Sequence, residues 1–105
     1  MERANPSHVL LAPIGNVLLC MGTAGGGWAH ADLSAATGAP EAAAGGTLTS
    51  YAEPSWRHVC YLGGDGHVHE LYMGTAGGGW AHADLSAATG APEAAAGGTL
   101  TSYWE

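Results

Sequence analysis

Short runs of apolar or aromatic residues, several alternating with polar ones, recur along the chain, and glycine-rich segments separate them. The clearest pair is Trp56–Leu62, rich in aromatic and β-branched residues, and 67–73, which alternates with a period of two. Gly63-Gly64-Asp65-Gly66 joins them, and a Gly/Asp turn between two such runs predicts a β-hairpin. Two further strands are predicted downstream, at 80–85 and 99–103.

One long stretch occurs twice without a change. Residues 21–51, MGTAGGGWAHADLSAATGAPEAAAGGTLTSY, recur as residues 73–103. Such self-similarity divides the chain into two repeat units, 1–53 and 54–105. The first unit offers four strands in the same order as the second, at 8–12, 17–21, 28–33 and 47–51.

The hairpin of the first unit is a diverged copy of the second. Ser7-His8-Val9 aligns with Arg57-His58-Val59, and Gly15-Asn16-Val17 with Gly66-His67-Val68. The Ala-rich connection 86–98 is closed by Gly97-Gly98, and helices this short are marginal. We therefore expect a loop there with at most one helical turn.

Four-stranded antiparallel units repeated at this spacing are typical of β-propeller blades. A propeller needs about four to eight blades, so two cannot close a ring. We expect an all-β chain of two blades whose ring is closed by oligomerisation, with a trimer of six blades favoured. The final strand, 99–104, is then expected to complete the first blade of a neighbouring copy, which removes an open sheet edge.

Charge and hydropathy exclude two classes of partner. The formal net charge is −7, and Arg3 and Arg57 are the only Lys or Arg residues, so a phosphate-binding patch for nucleic acid is not expected. The apolar run 9–20 is interrupted by Pro13 and Gly15 and is too short to span a bilayer, so no membrane insertion is expected. Cys20 and Cys60 are interpreted as small core residues, because a disulfide framework usually has more cysteines.

The segment HVCYLGGDGHVHELYMGTAGGGWAHADL, residues 58–85, resembles a blade of the fucose-binding β-propeller lectins of the Aleuria type, including the two-blade bacterial Ralstonia type. The shared order is a strand with a polar start, a Gly turn, x-Val-x-Glu-Leu-aromatic, a second Gly turn and Gly-Trp. The resemblance covers nearly all of the second unit and most of the first.

This resemblance implies sugar pockets between the blades of a six-bladed ring. In the family an Arg and a Glu hydrogen-bond the sugar, while a Trp stacks on its apolar side. Glu70 matches the Glu, and the Arg position falls on His58. Trp80 and its twin Trp28 match the Trp, and a further family Trp falls on Tyr72 or Met73. The first unit has Val17-Leu18-Leu19-Cys20, with no carboxylate.

Two kinds of polar cluster are candidates for other chemistry: the hairpin set Asp65, His67, His69, Glu70 and the His–Asp pairs His30/Asp32 and His82/Asp84. His67 and His69 share one strand face, but the sequence shows no third ligand there, so no metal is expected. The His–Asp pairs lack a nucleophile motif, so a polar strand face or an inter-strand hydrogen bond is expected rather than catalysis.

The sequence thus predicts a non-enzymatic, carbohydrate-binding oligomeric propeller without cofactors, partnered by copies of itself and by glycans. Fucose or a related monosaccharide is the expected ligand, with His58, Glu70, Tyr72, Trp28 and Trp80 as sugar-binding residues. The tryptophans have a competing role as packing residues between blades. The alternative function is a structural or interaction scaffold, recently duplicated or engineered, that retains no sugar binding.

Overall fold

The computed structural model describes residues 7–12, 15–22, 27–74, 79–95 and 98–103. Its elements are, in chain order, β1 (Ser7–Leu11), β2 (Val17–Gly22), β3 (Trp28–Asp32), α1 (Leu33–Thr37), β4 (Leu48–Ala52), β5 (Trp56–Leu62), β6 (Val68–Gly74), β7 (Ala81–Asp84) and α2 (Leu85–Thr89). All strand pairs are antiparallel, in a three-stranded sheet β1-β2-β3 and a four-stranded sheet β4-β5-β6-β7. The prediction of an all-β chain is confirmed. No helix among the described residues has the length and apolar character needed to cross a membrane.

The hairpin between β5 and β6 forms where the Gly/Asp turn predicts it, with Leu62 opposite Val68. Gly66 adopts φ 82°, a left-handed conformation that suits glycine. At Gly63 a Cβ atom would lie 2.5 Å from Asp65 Oδ1 and 2.8 Å from the His69 ring. Glycine at this position therefore allows the Asp65 carboxylate to approach His69.

Residues 98–103 carry no strand in the isolated chain, and the strand expected at 99–103, which needs a neighbouring copy, stays a prediction. Its sequence twin is β4, which pairs with β5 and so joins the second sheet rather than the first. β4 therefore occupies the outer edge of β5. Residues 100–103 have the same sequence as residues 48–51 of β4, but the second sheet offers them no equivalent free edge among the described residues. The segment instead lies beside β4, with Ser102 Oγ 2.5 Å from Thr49 Oγ1. Residue 104 lies outside the described residues.

A short helix follows the last strand of each sheet, and the connection 86–98 begins inside the second one. Asp84 caps α2 by accepting a hydrogen bond from the Ala87 amide at 3.0 Å, and Gly90 ends the helix at φ 70°. Asp32 and Gly38 do the same for α1. The helical turn therefore precedes Pro92, because an N-cap carboxylate and a left-handed glycine fix its two ends.

The strand register shows which residues of the two sheets occupy equivalent positions. Leu11 pairs with Val17 at the end of one hairpin as Leu62 pairs with Val68 at the end of the other. His8 consequently corresponds to Val59, and the sequence alignment of His8 with His58 is wrong by one residue. By the same register Leu19 corresponds to Glu70, Cys20 to Leu71, and Trp28 to Trp80.

The two sheets pack with unlike faces together. We call "front" the face that carries Leu19 in the first sheet and its equivalent Glu70 in the second, and "back" the opposite face. The core joins the front of the first sheet to the back of the second. Its strand residues are Val9, Leu11, Val17, Leu19 and Ala31 from the first sheet and Leu48, Val59, Tyr61, Leu71 and Trp80 from the second. The back of the first sheet and the front of the second therefore face outward.

The two cysteines differ in their surroundings. Both are free, Cys60 is buried, and Cys20 is partly exposed on the outward back face of the first sheet. The interpretation as core residues therefore holds for Cys60 alone.

Candidate functional site

The outward front face of the second sheet carries a histidine between two carboxylates. His58 on β5 places Nδ1 3.2 Å from Glu70 Oε1 and Nε2 2.5 Å from Glu53 Oε2. Only 11% of the His58 side chain and 14% of the Glu70 side chain are exposed. Each ring nitrogen of His58 therefore contacts a different carboxylate.

Tyr51 and Cys60 complete this group, which we call the front-face cluster (Tyr51, Glu53, His58, Cys60 and Glu70). The Tyr51 ring stacks on His58 with centroids 4.3 Å apart, and its hydroxyl donates to Glu70 Oε2 at 3.5 Å. The Cys60 thiol donates to the same oxygen at 3.7 Å. Burial and then the Glu70 charge raise the pKa of Tyr51 and raise the pKa of Cys60 to about 12. In this cluster the carboxylate oxygens of Glu53 and Glu70 contact the His58 imidazole. Glu70 also accepts hydrogen bonds from the neutral Tyr51 hydroxyl and Cys60 thiol.

The structure brings three of the five sequence-predicted sugar residues to one face. Glu70 contacts His58, and Tyr72 lies directly opposite His58 in the strand register. The Tyr72 ring also packs near Trp56, with centroids 6.1 Å apart. Neither predicted tryptophan lies on that face of the second sheet.

Trp80 lies on the back of the second sheet, packed against the core. It lines a cavity of about 480 Å³ that lies where the two sheets meet. Val9 and Leu19 of the first sheet line that cavity, together with Tyr51, His58 and Met73 of the second. Leu19, the equivalent of Glu70, thus lines the same cavity as Trp80.

Trp28 lies on the outward back face of the first sheet and is 59% exposed. It lines a shallow cavity of about 450 Å³ with His8, Cys20, Ala29 and His30. The ring of His8 lies 5.7 Å from the Trp28 ring. This face therefore offers an exposed aromatic surface and no carboxylate among those lining residues.

Sequence reasoning missed Tyr51, Glu53 and Cys60. Tyr51 and Glu53 precede β5, and a tight turn from the Glu53 amide to the Trp56 carbonyl folds them back onto it. The sequence does carry a signal for this arrangement. Pro54-Ser55 is typical of a turn, and a turn there would bring Tyr51 and Glu53 close to His58. The proximity of these residues to His58 follows only when β4 pairs with the following sheet rather than with the preceding one.

A second polar group, which we call the histidine cluster, consists of Asp65, His67, His69, His82 and Asp84. It lies where the hairpin turn meets the ends of β6 and β7. His69, only 1% exposed, places Nδ1 2.9 Å from His82 Nε2, and its Nε2 3.1 Å from Asp65 Oδ1. His67 Nδ1 lies 2.7 Å from Asp84 Oδ2. The inter-strand hydrogen bond expected for His82 and Asp84 is therefore present.

Charges in the histidine cluster are set by these contacts. The hydrogen bond to Asp84 raises the pKa of His67, whereas burial and then His69 lower the pKa of His82. Hydrogen bonds from the Ala87 amide and His67 lower the pKa of Asp84. Burial raises the pKa of Asp65, but hydrogen bonds from the His67 amide and the His69 ring outweigh it and the pKa is lowered. The two carboxylates are consequently ionised beside a neutral His82 at neutral pH.

No protein-family model matches the chain, and neither the curated proteins nor the solved structures yielded a significant match.

Proposed function

We propose that the chain stacks head to tail on copies of itself into a closed β-propeller and binds a monosaccharide at the front-face cluster. The observation that carries the proposal is the packing of unlike faces. The front of the first sheet meets the back of the second, while the equivalents of these two surfaces face outward. A copy placed by the same operation covers one outward face with the other. A repeated contact between unlike surfaces gives a ring when the rotation closes.

The stacking would also complete a pocket. Within one chain Leu19 and Trp80 line the cavity between the sheets. Their equivalents are Glu70 and Trp28, which lie on the two outward faces of the same chain. Repetition of the contact between copies would bring Trp28 of the neighbouring copy to Glu70. The pocket between copies would then hold a carboxylate where the pocket within the chain holds Leu19.

Such a pocket suits a sugar with vicinal hydroxyls. The Glu70 carboxylate accepts hydrogen bonds from hydroxyl groups, and His58 and Tyr51 fix its orientation. An exposed indole such as Trp28 matches the apolar side of a pyranose ring. The resemblance of residues 58–85 to the fucose-binding propeller lectins supports fucose or a related monosaccharide, without any catalytic step.

Isothermal titration of the assembled protein with fucose, mannose and galactose tests the sugar site. Glu70→Gln keeps the shape and removes the charge, so the affinity should fall about tenfold or more, because charge-assisted hydrogen bonds contribute about 1.5–3 kcal/mol. Trp28→Leu should weaken binding as well. Glu93→Gln removes an exposed carboxylate outside the cluster and should leave the affinity unchanged.

The second candidate function is a propeller scaffold without sugar binding. It is favoured by Leu19, which occupies the Glu70 position of the first sheet and leaves strand β2 without a carboxylate. Absence of heat with all three sugars, from a protein whose solution mass shows assembly, would support the scaffold and contradict the lectin function.

A further inference from the structure

The histidine cluster brings together metal-ligating groups that are distant in sequence. Asp65 comes from the turn, His69 from β6 and Asp84 from the end of β7. One ligand atom from each of these three residues lies within 4.8 Å of the other two. Strand register causes this convergence, because His69 and Asp84 are directly opposite each other and Gly63 leaves room for Asp65.

The distance between Asp65 and His69 is close to that between two ligands of one coordinated ion. Zinc binds imidazole nitrogen and carboxylate oxygen at about 2.0–2.2 Å, which places two ligands of a tetrahedral ion about 3.3 Å apart. The two Asp65 oxygens lie 3.1 and 3.2 Å from His69 Nε2. Asp65 and His69 are therefore spaced as two ligands of one ion, and a ligand atom of Asp84 lies within 4.8 Å of both.

The surroundings of the three residues would hold them in orientation. The His69 ring is stacked against Tyr61 with centroids 5.4 Å apart, and its other nitrogen contacts His82. Asp84 is held through one oxygen by the Ala87 amide and through the other by His67. Hydrogen bonds to ligating histidines and carboxylates strengthen metal sites in this way.

We propose that Asp65, His69 and Asp84 bind one divalent transition-metal ion, with zinc as the best match. One imidazole and two carboxylates form a mixed nitrogen–oxygen set, which suits zinc better than calcium or magnesium. The ion ties the hairpin turn to β6 and to the start of α2. The sequence alone predicts no metal there, because the second and third ligands come from a turn and from another strand.

The first sheet provides the internal control. Asp32 corresponds to Asp84 and caps α1 in the same way, while Leu18 stands at the position of His69 and Asn16 at that of His67. Asn16 donates to Asp32 at 2.6 Å, as His67 contacts Asp84. The first sheet therefore repeats the capping carboxylate without the histidine, and we expect one metal site per chain.

The test is isothermal titration of chelator-treated full-length protein with Zn²⁺, with Ca²⁺ in parallel, and visible absorption after addition of Co²⁺. We expect one Zn²⁺ per chain, no heat with Ca²⁺ and a cobalt d–d band. Asp84→Asn and His69→Gln should each lower the Zn²⁺ affinity at least about tenfold. Asp32→Asn should leave it unchanged, and both Asn variants keep a side chain that caps a helix.

A competing zinc site is the row of His8, Cys20 and His30 on the back of the first sheet, where the three residues lie opposite one another. Cys20→Ser should leave the Zn²⁺ affinity unchanged. Circular dichroism of each metal-free variant checks that it folds. The proposal is overturned if the wild type binds no Zn²⁺, if Cys20→Ser abolishes binding, or if folded Asp84→Asn binds as tightly as Asp32→Asn.

Discussion

Burial keeps two acidic protons on the folded chain at high pH. The pKa of Cys60 rises from 9.0 to about 12, because the thiol is buried and lies beside Glu70. The pKa of Tyr61 rises from 10.0 to about 12, because the ring is buried and Asp65 is near. Both groups lose their protons at lower pH in the unfolded chain than in the folded one. The unfolded state thus binds fewer protons above about pH 9, so the free energy of unfolding must fall as the pH rises.

We predict that Cys60→Ser reduces this alkaline loss. Near pH 10.5 the ionisation of Cys60 in the unfolded wild type is expected to lower the free energy of unfolding by about 2 kcal/mol relative to pH 8. Urea unfolding of reduced protein at pH 8, 9.5 and 10.5 measures it. Cys20→Ser is the matched control and should follow the wild type. Parallel pH curves for all three proteins would contradict the burial of Cys60.

Residue-level chemistry was only partly predictable from the sequence. The family resemblance matches His58 and Glu70 to one sugar site, and the period of two places His67 and His69 on one strand face. Glu53 and Tyr51 were missed because their place depends on which sheet β4 joins. Asp65 could not be recognised as a ligand, because a turn position alone does not show where its carboxylate points.

At the scale of elements, the segment 100–103 has the sequence of a strand, and β1 has a free edge in the described part of the chain, on which such a strand could pair. Residues 100–103 repeat the sequence of β4 residues 48–51, and they form no strand. β1 is the counterpart of β5, but among the described residues it pairs with β2 alone, whereas β5 pairs with both β4 and β6. A second copy could therefore supply 100–103 to β1 with the register that β4 uses on β5.

Deletion of residues 99–105 should prevent assembly of the chains, because the edge of β1 would keep unpaired backbone groups. Each such group, if buried, costs about 1–3 kcal/mol. Size-exclusion chromatography with light scattering measures the mass. The control is a double substitution at exposed positions, Thr99→Ser and Thr101→Ser, which keeps the backbone pairing. A truncated chain with unchanged mass and melting temperature would show that the segment is not exchanged.

Alternation and glycine turns predicted the strands of both hairpins to within about a residue. They did not assign β4 to the following sheet, although only residues 53–55 separate β4 from β5, because the repeat places 47–51 at the end of the first unit. The helices were underestimated for a different reason. Five residues are too few to predict a helix from their propensity, and it is the caps Asp32 and Asp84 with Gly38 and Gly90 that define the two helices.

At the scale of the whole molecule, the two outward faces are the equivalents of the two faces that pack together within the chain. We predict a closed assembly of three chains of 10.5 kDa each, which gives six blades. Analytical ultracentrifugation at micromolar concentration checks it. Trp28→Glu places a charge in the proposed contact between copies and should release monomers. Trp56→Glu places a charge on the opposite outward face and should have the same effect. A stable, folded monomer at that concentration would contradict the propeller.

The identity of residues 48–51 and 100–103 raises a question of competition at the edge of β5. Only residues 53–55 separate β4 from β5, so the attached segment is present at an effective concentration of about millimolar or above. A free segment from another copy, at micromolar concentration, loses this contest although its side chains are the same. Covalent tethering, rather than sequence, thus directs the second copy of the segment away from β5.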